Sequence, residues 1–182
     1  ISLGHRVIAD EAALRATLAT FAAFTRGLQL LASFAKLLNF PRQNKMKGMG
    51  QIVSWSVRDE SLHCEAIIKL FHNFCRETGC LTQSVKDDIV DCCKTVVGLE
   101  DRFIDLAFEA GEVQGMTPAD IKGYIRFVAD WRLRQLGLPE VYDAKENPLP
   151  WLKSMLHGVG HAHFFEARSP ESSKAAQRRA RD

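Results

Sequence analysis

The sequence lacks the features that mark membrane proteins, disulfide-bonded proteins and β-sheet proteins. No apolar run is long and uninterrupted enough to span a bilayer, and no secretory signal is recognisable at the start. The five cysteines are an odd number with no C-x-x-C spacing, which favours reduced thiols over disulfides and gives only weak support for zinc. No segment alternates apolar and polar residues over a useful length, so we predict no sheet. The class of fold that remains is all-α.

The chain also lacks an excess of either charge. It carries 24 basic and 22 acidic side chains, a net charge of +2, so no general field attracts nucleic acid. Its length of 182 residues and its 46% hydrophobic content suffice for one domain with a buried core. We predict a helical domain over residues 1–168. The polar, locally basic stretch 169–182 is expected to be a solvated tail rather than a binding arm.

Apolar residues recur at helical spacing in five segments. The predicted helices span about 10–40, 45–76, 84–110, 117–136 and 151–165. Pro41 is expected to break the first helix, whose buried stripe includes Phe24 and Leu28. The fourth helix has the clearest start signal, because Thr117 can act as N-cap and Pro118 can occupy the first helical position. In the second helix the apolar residues run through Ile52, Trp55, Leu62, Ile67 and Phe71.

The first two helices make a specific pairing predictable. If they run antiparallel about a turn near Gln43, residues equally distant from that turn face each other. Arg26 lies 17 residues before Gln43, and Glu60 lies 17 residues after it. At about 1.5 Å per residue, both lie about 25 Å from the turn. Burying an arginine among Phe, Leu and Ala is costly unless a carboxylate meets it, so we predict an Arg26–Glu60 ion pair.

The stretch RDESLHC holds the single Glu-x-x-His of the chain. Glu60 and His63 are three residues apart, so on a helix they point to one side, as two ligands of one metal ion would. The same spacing also fits an ordinary polar patch on a helix edge. Asp59 fits either an acid that supports a ligand or a simple surface charge.

Other histidines and the tryptophans are better explained by packing. His161 and His163 alternate, and positions two apart on a helix point away from each other, so packing or capping is expected. Trp55, Trp131 and Trp151 are expected to be core aromatics.

Several stretches together resemble one protein family. MKGMGQIVSWSVRDESLHCEAIIKLFH is similar to the second ligand helix of the small, radical-generating subunit of class I ribonucleotide reductase, in its bacterial branch. GLQLLASFAKLLNFPR precedes it, and LEDRFIDLAFEAG, IKGYIRFVADWRLRQLGL, ENPLPWL and HAHFFEARSPESSK follow it in the family's order. The resemblance covers about residues 21–174 and implies a ferritin-like helical bundle, of which this chain is the C-terminal portion.

The resemblance also implies roles for four residues. Glu60 and His63 match the last Glu and His ligands of the family's di-metal centre, and Asp59 matches an acid that hydrogen-bonds a ligand histidine on another helix. Arg26 stands where the family has a ligand Glu, within a phrase similar to FTRGLQLLASF. The earlier half of the family pattern is absent, namely an Asp or Glu ligand, the first Glu-x-x-His and the radical tyrosine. The terminal QRRARD does not resemble the acidic, aromatic peptide that docks on the large subunit.

These departures favour a protein that has lost di-metal radical chemistry and acts as a structural or accessory subunit of a larger assembly. On this interpretation it has no catalytic residues, no cofactor and no catalytic competence alone. The alternative is half of a split or fragmentary class I ribonucleotide reductase small subunit. Its missing ligands would come from another segment or chain and would complete a di-iron or di-manganese centre at Glu60 and His63.

Both hypotheses predict protein partners. A family member without its first helices leaves apolar helix faces exposed, so a homodimer or a hetero-complex is expected, without nucleic acid and without a membrane span. Reduced cysteines suit the cytoplasm or the mitochondrial matrix. A chain that begins at Ile1 fits a processed product, a fragment or a sequence without its first residues.

Overall fold

The structure is a computed structural model in which helices and short loops account for the described part of the chain. The residues described are Phe24, Leu28, 30–78 and 81–158. Their helices are α1 (Leu31–Arg42), α2 (Lys47–Thr78), α3 (Gln83–Glu109), α4 (Pro118–Gln135) and α5 (Pro150–Gly158). Within these ranges there is no strand, only an isolated bridge between Val113 and Met116. The all-α prediction is therefore confirmed.

The chain forms two compact units. The first, Ile1–Leu149, contains α1 to α4, and the second, Pro150–Asp182, contains α5. Pro150 occupies the first position of α5, where its missing N–H costs no helical hydrogen bond. The predicted tail boundary between residues 168 and 169 lies outside the described residues.

Local sequence signals account for the start of α3 and both ends of α4. Thr117 and Asp120 form a capping box, in which the Asp120 N–H donates to Thr117 Oγ1 at 3.2 Å and Thr117 N–H donates to Asp120 Oδ2 at 2.8 Å. Gly137, at a φ of 75°, follows the end of α4. Thr82 caps α3, since its side chain accepts the Val85 N–H. The predicted start of the fourth helix is thus confirmed.

Pro41 does not break the first helix, which is a correction to the sequence prediction. α1 contains Pro41 and ends at Arg42. A proline in the last turn removes a single N–H, so the helix tolerates it there. The chain turns instead at Asn44 and Met46, which have φ values of 66° and 48°. These left-handed residues reverse the chain direction and let α2 begin at Lys47.

The helices of the first unit pack in a defined order: α2 contacts α1, α1 contacts α4, and α4 contacts α3. The core-facing side of α1 carries Ala32, Ala35 and Leu38, each fully buried, and Phe24 and Leu28 before it are fully buried as well. This agrees with the predicted stripe of the first helix. Lys36 Nζ donates to the Ala107 carbonyl at 2.6 Å and so links α1 to the end of α3.

A buried carboxylate fixes the segment that follows α4. Asp130 is fully buried and accepts three backbone N–H groups, from Val141 at 2.9 Å, Tyr142 at 3.0 Å and Ala144 at 2.9 Å. Three such bonds satisfy the charge of a carboxylate that has no access to water. Asp130 therefore holds residues 141–144 against α4.

The apolar residues that identified the second helix in the sequence lie mostly on its outer side. Ile52, Trp55 and Leu62 are exposed, and a different set faces the core. The buried positions of α2 are Val53, Val57, Cys64, Ile68 and Phe71.

The prediction that the tryptophans are core residues was wrong for two of the three. Trp55 is 49% exposed and Trp131 is 41% exposed. The ring of Trp131 instead contacts the Arg132 guanidinium, 4.4 Å from the ring centroid.

Candidate metal centre on the second helix

The two candidate ligands lie side by side near the middle of α2. His63 Nδ1 is 3.8 Å from Glu60 Oε2, so the three-residue spacing does bring both side chains to one side of the helix. The Glu60 side chain is 26% exposed and the His63 side chain is 52% exposed. An imidazole and a carboxylate at this separation can supply two ligands to one ion, and they form an ion pair when the imidazole is protonated.

The pair lies at the border between the buried and exposed sides of α2. Cys64, the residue after His63, is fully buried, and Val57, three residues before Glu60, is 7% exposed. Asp59 is exposed, seven residues after the exposed Ile52 and therefore on the same side of the helix. The three polar residues of this site thus face outward from α2 or lie along its edge.

Arg26 lies outside the described residues, as do His161 and His163. The Arg26–Glu60 ion pair therefore stays a prediction. Glu60 and His63 each take part in further interactions beyond the one between them.

The donor set does not fit a di-metal centre by itself. Such a centre in a helical bundle uses one Glu from each of two helices and a Glu-x-x-His from each of two more. Over residues 30–78 and 81–158, no group of three or more His, Cys, Asp or Glu side chains is placed to hold a metal ion. Glu60 and His63 would supply two ligands, and a complete site requires donors from elsewhere.

A second unusual group was missed by sequence reasoning. Glu100 is only 3% exposed, and its Oε2 has no hydrogen-bond partner among the described residues. Burial, with a smaller contribution from the neighbouring charge of Asp101, raises the pKa of Glu100 to about 7. The sequence did contain a signal for this burial. Glu100 shares helical spacing with Cys93, Val97 and Ile104, which all face the core.

A buried cation lies on α4. Arg132 is 4% exposed, and its Nη1 donates to Gln135 Oε1 at 2.8 Å. Its Nε has no hydrogen-bond partner among the described residues. Burial lowers the pKa of Arg132, against the opposing effects of Cys64, Glu65 and Tyr124. Cys64 and Glu65 belong to α2, so this guanidinium is close enough to α2 to feel its charges.

Comparisons with known proteins identify the protein family to which the chain belongs. The family described as "Ribonucleotide reductase, small chain" matches residues 4–148. The chain is 40% identical over 95% of its length to the ribonucleoside-diphosphate reductase small subunit of Invertebrate iridescent virus 3, of which it covers 46%. It is 30% identical over 82% of its length to the ribonucleoside-diphosphate reductase subunit beta of Chlamydia pneumoniae, covering 43% of that protein. The chain therefore belongs to the ribonucleotide reductase small chain family.

Solved structures support the same fold. The class I ribonucleotide reductase of Bacillus halodurans matches with a TM-score of 0.70 and 26% identity, over 75% of this chain and 49% of that one. The R2 subunit from Clostridium botulinum matches with a TM-score of 0.67 at 20% identity, over 76% of this chain and 44% of that one, which supports the fold alone. The predicted ferritin-like helical fold is confirmed. In the part of the chain that is described, no helix has the length and apolarity to cross a membrane.

The match is partial in length. The chain spans about half of the curated relatives it matches, 46% of one viral protein and 52% of a second, from Invertebrate iridescent virus 6. The relatives come from viruses as well as bacteria, so the bacterial branch stays a prediction.

Proposed function

We propose that this chain is a ribonucleotide reductase small-subunit-like protein that has lost di-metal radical chemistry and serves as a structural or accessory subunit of a larger assembly. The observation that carries this proposal is Arg26, a cation at the position where the family pattern has a ligand Glu. A guanidinium does not lose its proton at physiological pH, so it repels a metal ion that would bind beside it.

Charge balance explains how such a bundle stays folded. A di-metal site concentrates carboxylates that repel one another unless cations neutralise them. An arginine opposite Glu60 supplies a permanent positive charge and can grip the carboxylate with two hydrogen bonds. On this proposal the ancestral metal site has become a structural ion pair, and the chain has no catalytic competence alone.

A structural role also requires surfaces for partners. α2 and α3 expose several large apolar side chains. They are Ile52, Trp55, Leu62 and Leu70 on α2 and Leu99, Phe103 and Leu106 on α3. Exposed apolar stripes of this kind are typical of sites that bind other proteins. Cys92 and Cys93 carry free thiols, which suits the cytoplasm or the mitochondrial matrix.

The experiment is native mass spectrometry of the purified complex, with iron and manganese measured on the same sample. We expect no stoichiometric di-metal content and several unrelated chains in one particle. Two metal ions per chain in the isolated protein would contradict the loss of metal chemistry. A chain substituted Glu60→Gln and His63→Ala is the matched control for any metal bound adventitiously.

One observation favours a second candidate function. Because the chain spans about half the length of its relatives, it could be one part of a split or fragmentary class I small subunit. The active form would then be a ribonucleoside-diphosphate reductase small subunit with a di-iron or di-manganese centre. A co-purifying chain with an Asp ligand and its own Glu-x-x-His, together with stoichiometric metal in the joint complex, would favour this candidate over the first.

A further inference from the structure

A stripe of apolar residues runs along α3 and turns away from the core towards its end. Its members follow one another in alternating steps of four and three residues, which is the spacing of a coiled-coil seam. They form the α3 seam: Val85, Ile89, Cys92, Val96, Leu99, Phe103, Leu106 and the C-cap Ala110. Steps that average 3.5 residues keep the stripe close to one side of the helix over the whole of α3.

The α3 seam is covered at its start and open at its end. Val85 is 3% exposed and Ile89 is fully buried. Leu99, Phe103 and Leu106 are 44%, 40% and 64% exposed. The two members between these groups, at positions 92 and 96, are half-buried. The open part, residues 99–110, is about 17 Å long, which is enough for one helix to lie on it.

The spacing of the α3 seam indicates which kind of structure covers its open part. Side chains in steps of four and three fit between the side chains of a second helix that crosses at a shallow angle. A strand presents its side chains with a period of two and does not match this pattern. The occupant is therefore a helix that carries apolar residues at the same spacing.

Charged side chains border the open part along one edge. Arg102 and Glu109 are exposed and are seven residues apart, so they lie on the same side of α3, next to Leu99 and Leu106. Over residues 30–78 and 81–158, neither Arg102 nor Glu109 forms an ion pair or a side-chain hydrogen bond. An antiparallel helix on the α3 seam can bring a base to Glu109 and, seven residues later, an acid to Arg102.

We propose that the open part of the α3 seam binds an amphipathic helix of another polypeptide, antiparallel to α3, whose edge carries a base and then an acid seven residues later. Leu99, Phe103 and Leu106 supply the apolar contact. Arg102 and Glu109 fix the register, and the opposed helix dipoles favour the antiparallel direction. This inference rests on the need for partner chains in the proposed function and is independent of the loss of metal chemistry.

Two other occupants fit the α3 seam less well. An antiparallel pair of copies of this chain centred on Phe103 would set the two Arg102 side chains beside each other, and like charges in close contact are destabilising. An anionic membrane surface would meet Glu109 and Asp88, which lie on the same edge as Arg102, and would be repelled by both.

The test measures binding of a synthetic amphipathic helix to the full chain. The peptide has about three heptads, with Leu at the spacing of the α3 seam and the edge pattern Lys-x6-Glu. Fluorescence anisotropy of the labelled peptide measures its Kd. We expect saturable binding to the wild type and a loss of affinity of about tenfold or more in Leu106→Glu. Leu70→Glu, at an exposed apolar position of α2, is the matched control and should bind like the wild type.

A second peptide with the edge reversed to Glu-x6-Lys tests the register and the direction. The wild type should bind it about fivefold more weakly, and a chain with both Arg102→Glu and Glu109→Lys should prefer it. Circular dichroism confirms that each variant keeps its helix content. The proposal would be overturned by a wild type that binds neither peptide at high micromolar concentration or prefers the reversed one. Equal binding by Leu106→Glu and the wild type, or an unchanged preference in the double variant, would also contradict it.

Two further measurements on the same variant separate the other occupants. If Leu106→Glu dissociated a self-associated wild type in sedimentation equilibrium, the α3 seam would be an interface between copies of this chain. If Leu106→Glu abolished binding of the wild type to phosphatidylserine vesicles, the α3 seam would be a membrane-binding surface. Either result would overturn the proposal, and neither depends on the metal content that tests the loss of metal chemistry.

Discussion

Glu100 shows how a single side chain can make stability depend on pH. Its carboxyl group faces the core between α3 and its neighbours, where water cannot solvate the charged form. Asp101 is next in the chain and carries a negative charge that is paired with Arg126 on α4, with Nη2 2.6 Å from Oδ2. Both effects favour the protonated form of Glu100, and burial is the larger one.

We predict that the chain loses stability as pH rises through the range from about 4.5 to about 7. Below this range Glu100 is protonated in both the folded and unfolded chains and has no effect. Within it, the unfolded chain releases its proton first, which favours unfolding. The difference between the ordinary value of 4.5 and about 7 corresponds to a loss of about 3 kcal/mol by pH 8. Urea denaturation followed by circular dichroism measures it.

Glu100→Gln should remove this pH dependence and leave the variant more stable than the wild type at pH 8. Glu109→Gln, at an exposed position of the same helix, is the control and should keep the wild-type slope. Equal pH slopes for Glu100→Gln and the wild type would show that Glu100 ionises freely in the folded chain.

At the scale of helices, the α1–α2 hairpin depends on the close approach of Gly50 on α2 to the ring of Pro41 on α1. A Cβ added at Gly50 would lie 2.5 Å from Pro41 Cγ and 2.9 Å from Pro41 Cβ. The proline ring is rigid, so either α1 or α2 would have to move. At Gly48, in the same turn of α2, an added Cβ would meet no heavy atom within 4 Å.

We therefore predict that replacing glycine by alanine has opposite effects on stability at positions 48 and 50. Gly48→Ala should stabilise the chain by up to about 1 kcal/mol, the usual helical gain over glycine. Gly50→Ala should destabilise it by about 1–2 kcal/mol, because the overpacking cost exceeds that gain. Thermal unfolding of both variants beside the wild type measures the difference. Equal stabilisation by both would mean that Pro41 and Gly50 are not in contact.

The helices themselves were largely predictable, since their signals are local. Thr117, Pro118 and Asp120 specify a helix start whatever surrounds them. Pro41 was misjudged because the effect of a proline depends on how many turns of helix follow it, and here the helix ends at the next residue.

Which side of α2 is buried was not predictable, because both sides carry apolar residues at helical spacing. Val53 and Val57 face the core, while Ile52 and Trp55 one or two positions away face outward. Only packing against α1 decides between the two sides, and that is a property of the whole molecule. The burial of Glu100 was missed for the same reason, whereas the Glu60–His63 pair depends on spacing within one helix and was found.

At the scale of the whole molecule, the proposal is that an ion pair takes the place of the metal of the family's bundle. The register predicted from the sequence would set Arg26 opposite Glu60, and the proposed ion pair would then hold the first two helices together without an ion. Arg26→Glu tests this replacement, because it restores the acid that the family pattern has at this position and removes the cation.

We predict that Arg26→Glu lowers stability by about 1–3 kcal/mol in metal-free buffer, since two carboxylates would then face each other and Glu60 is partly exposed. Added Mn²⁺ should raise the unfolding temperature of this variant, because the new carboxylate and Glu60 can both bind the ion. The wild type should show no such rise. Arg26→Leu is the matched control, since it removes the cation without adding an acid and should be destabilised but insensitive to Mn²⁺. A wild-type chain stabilised by Mn²⁺ as strongly as Arg26→Glu would mean that the guanidinium does not occupy the place of the metal.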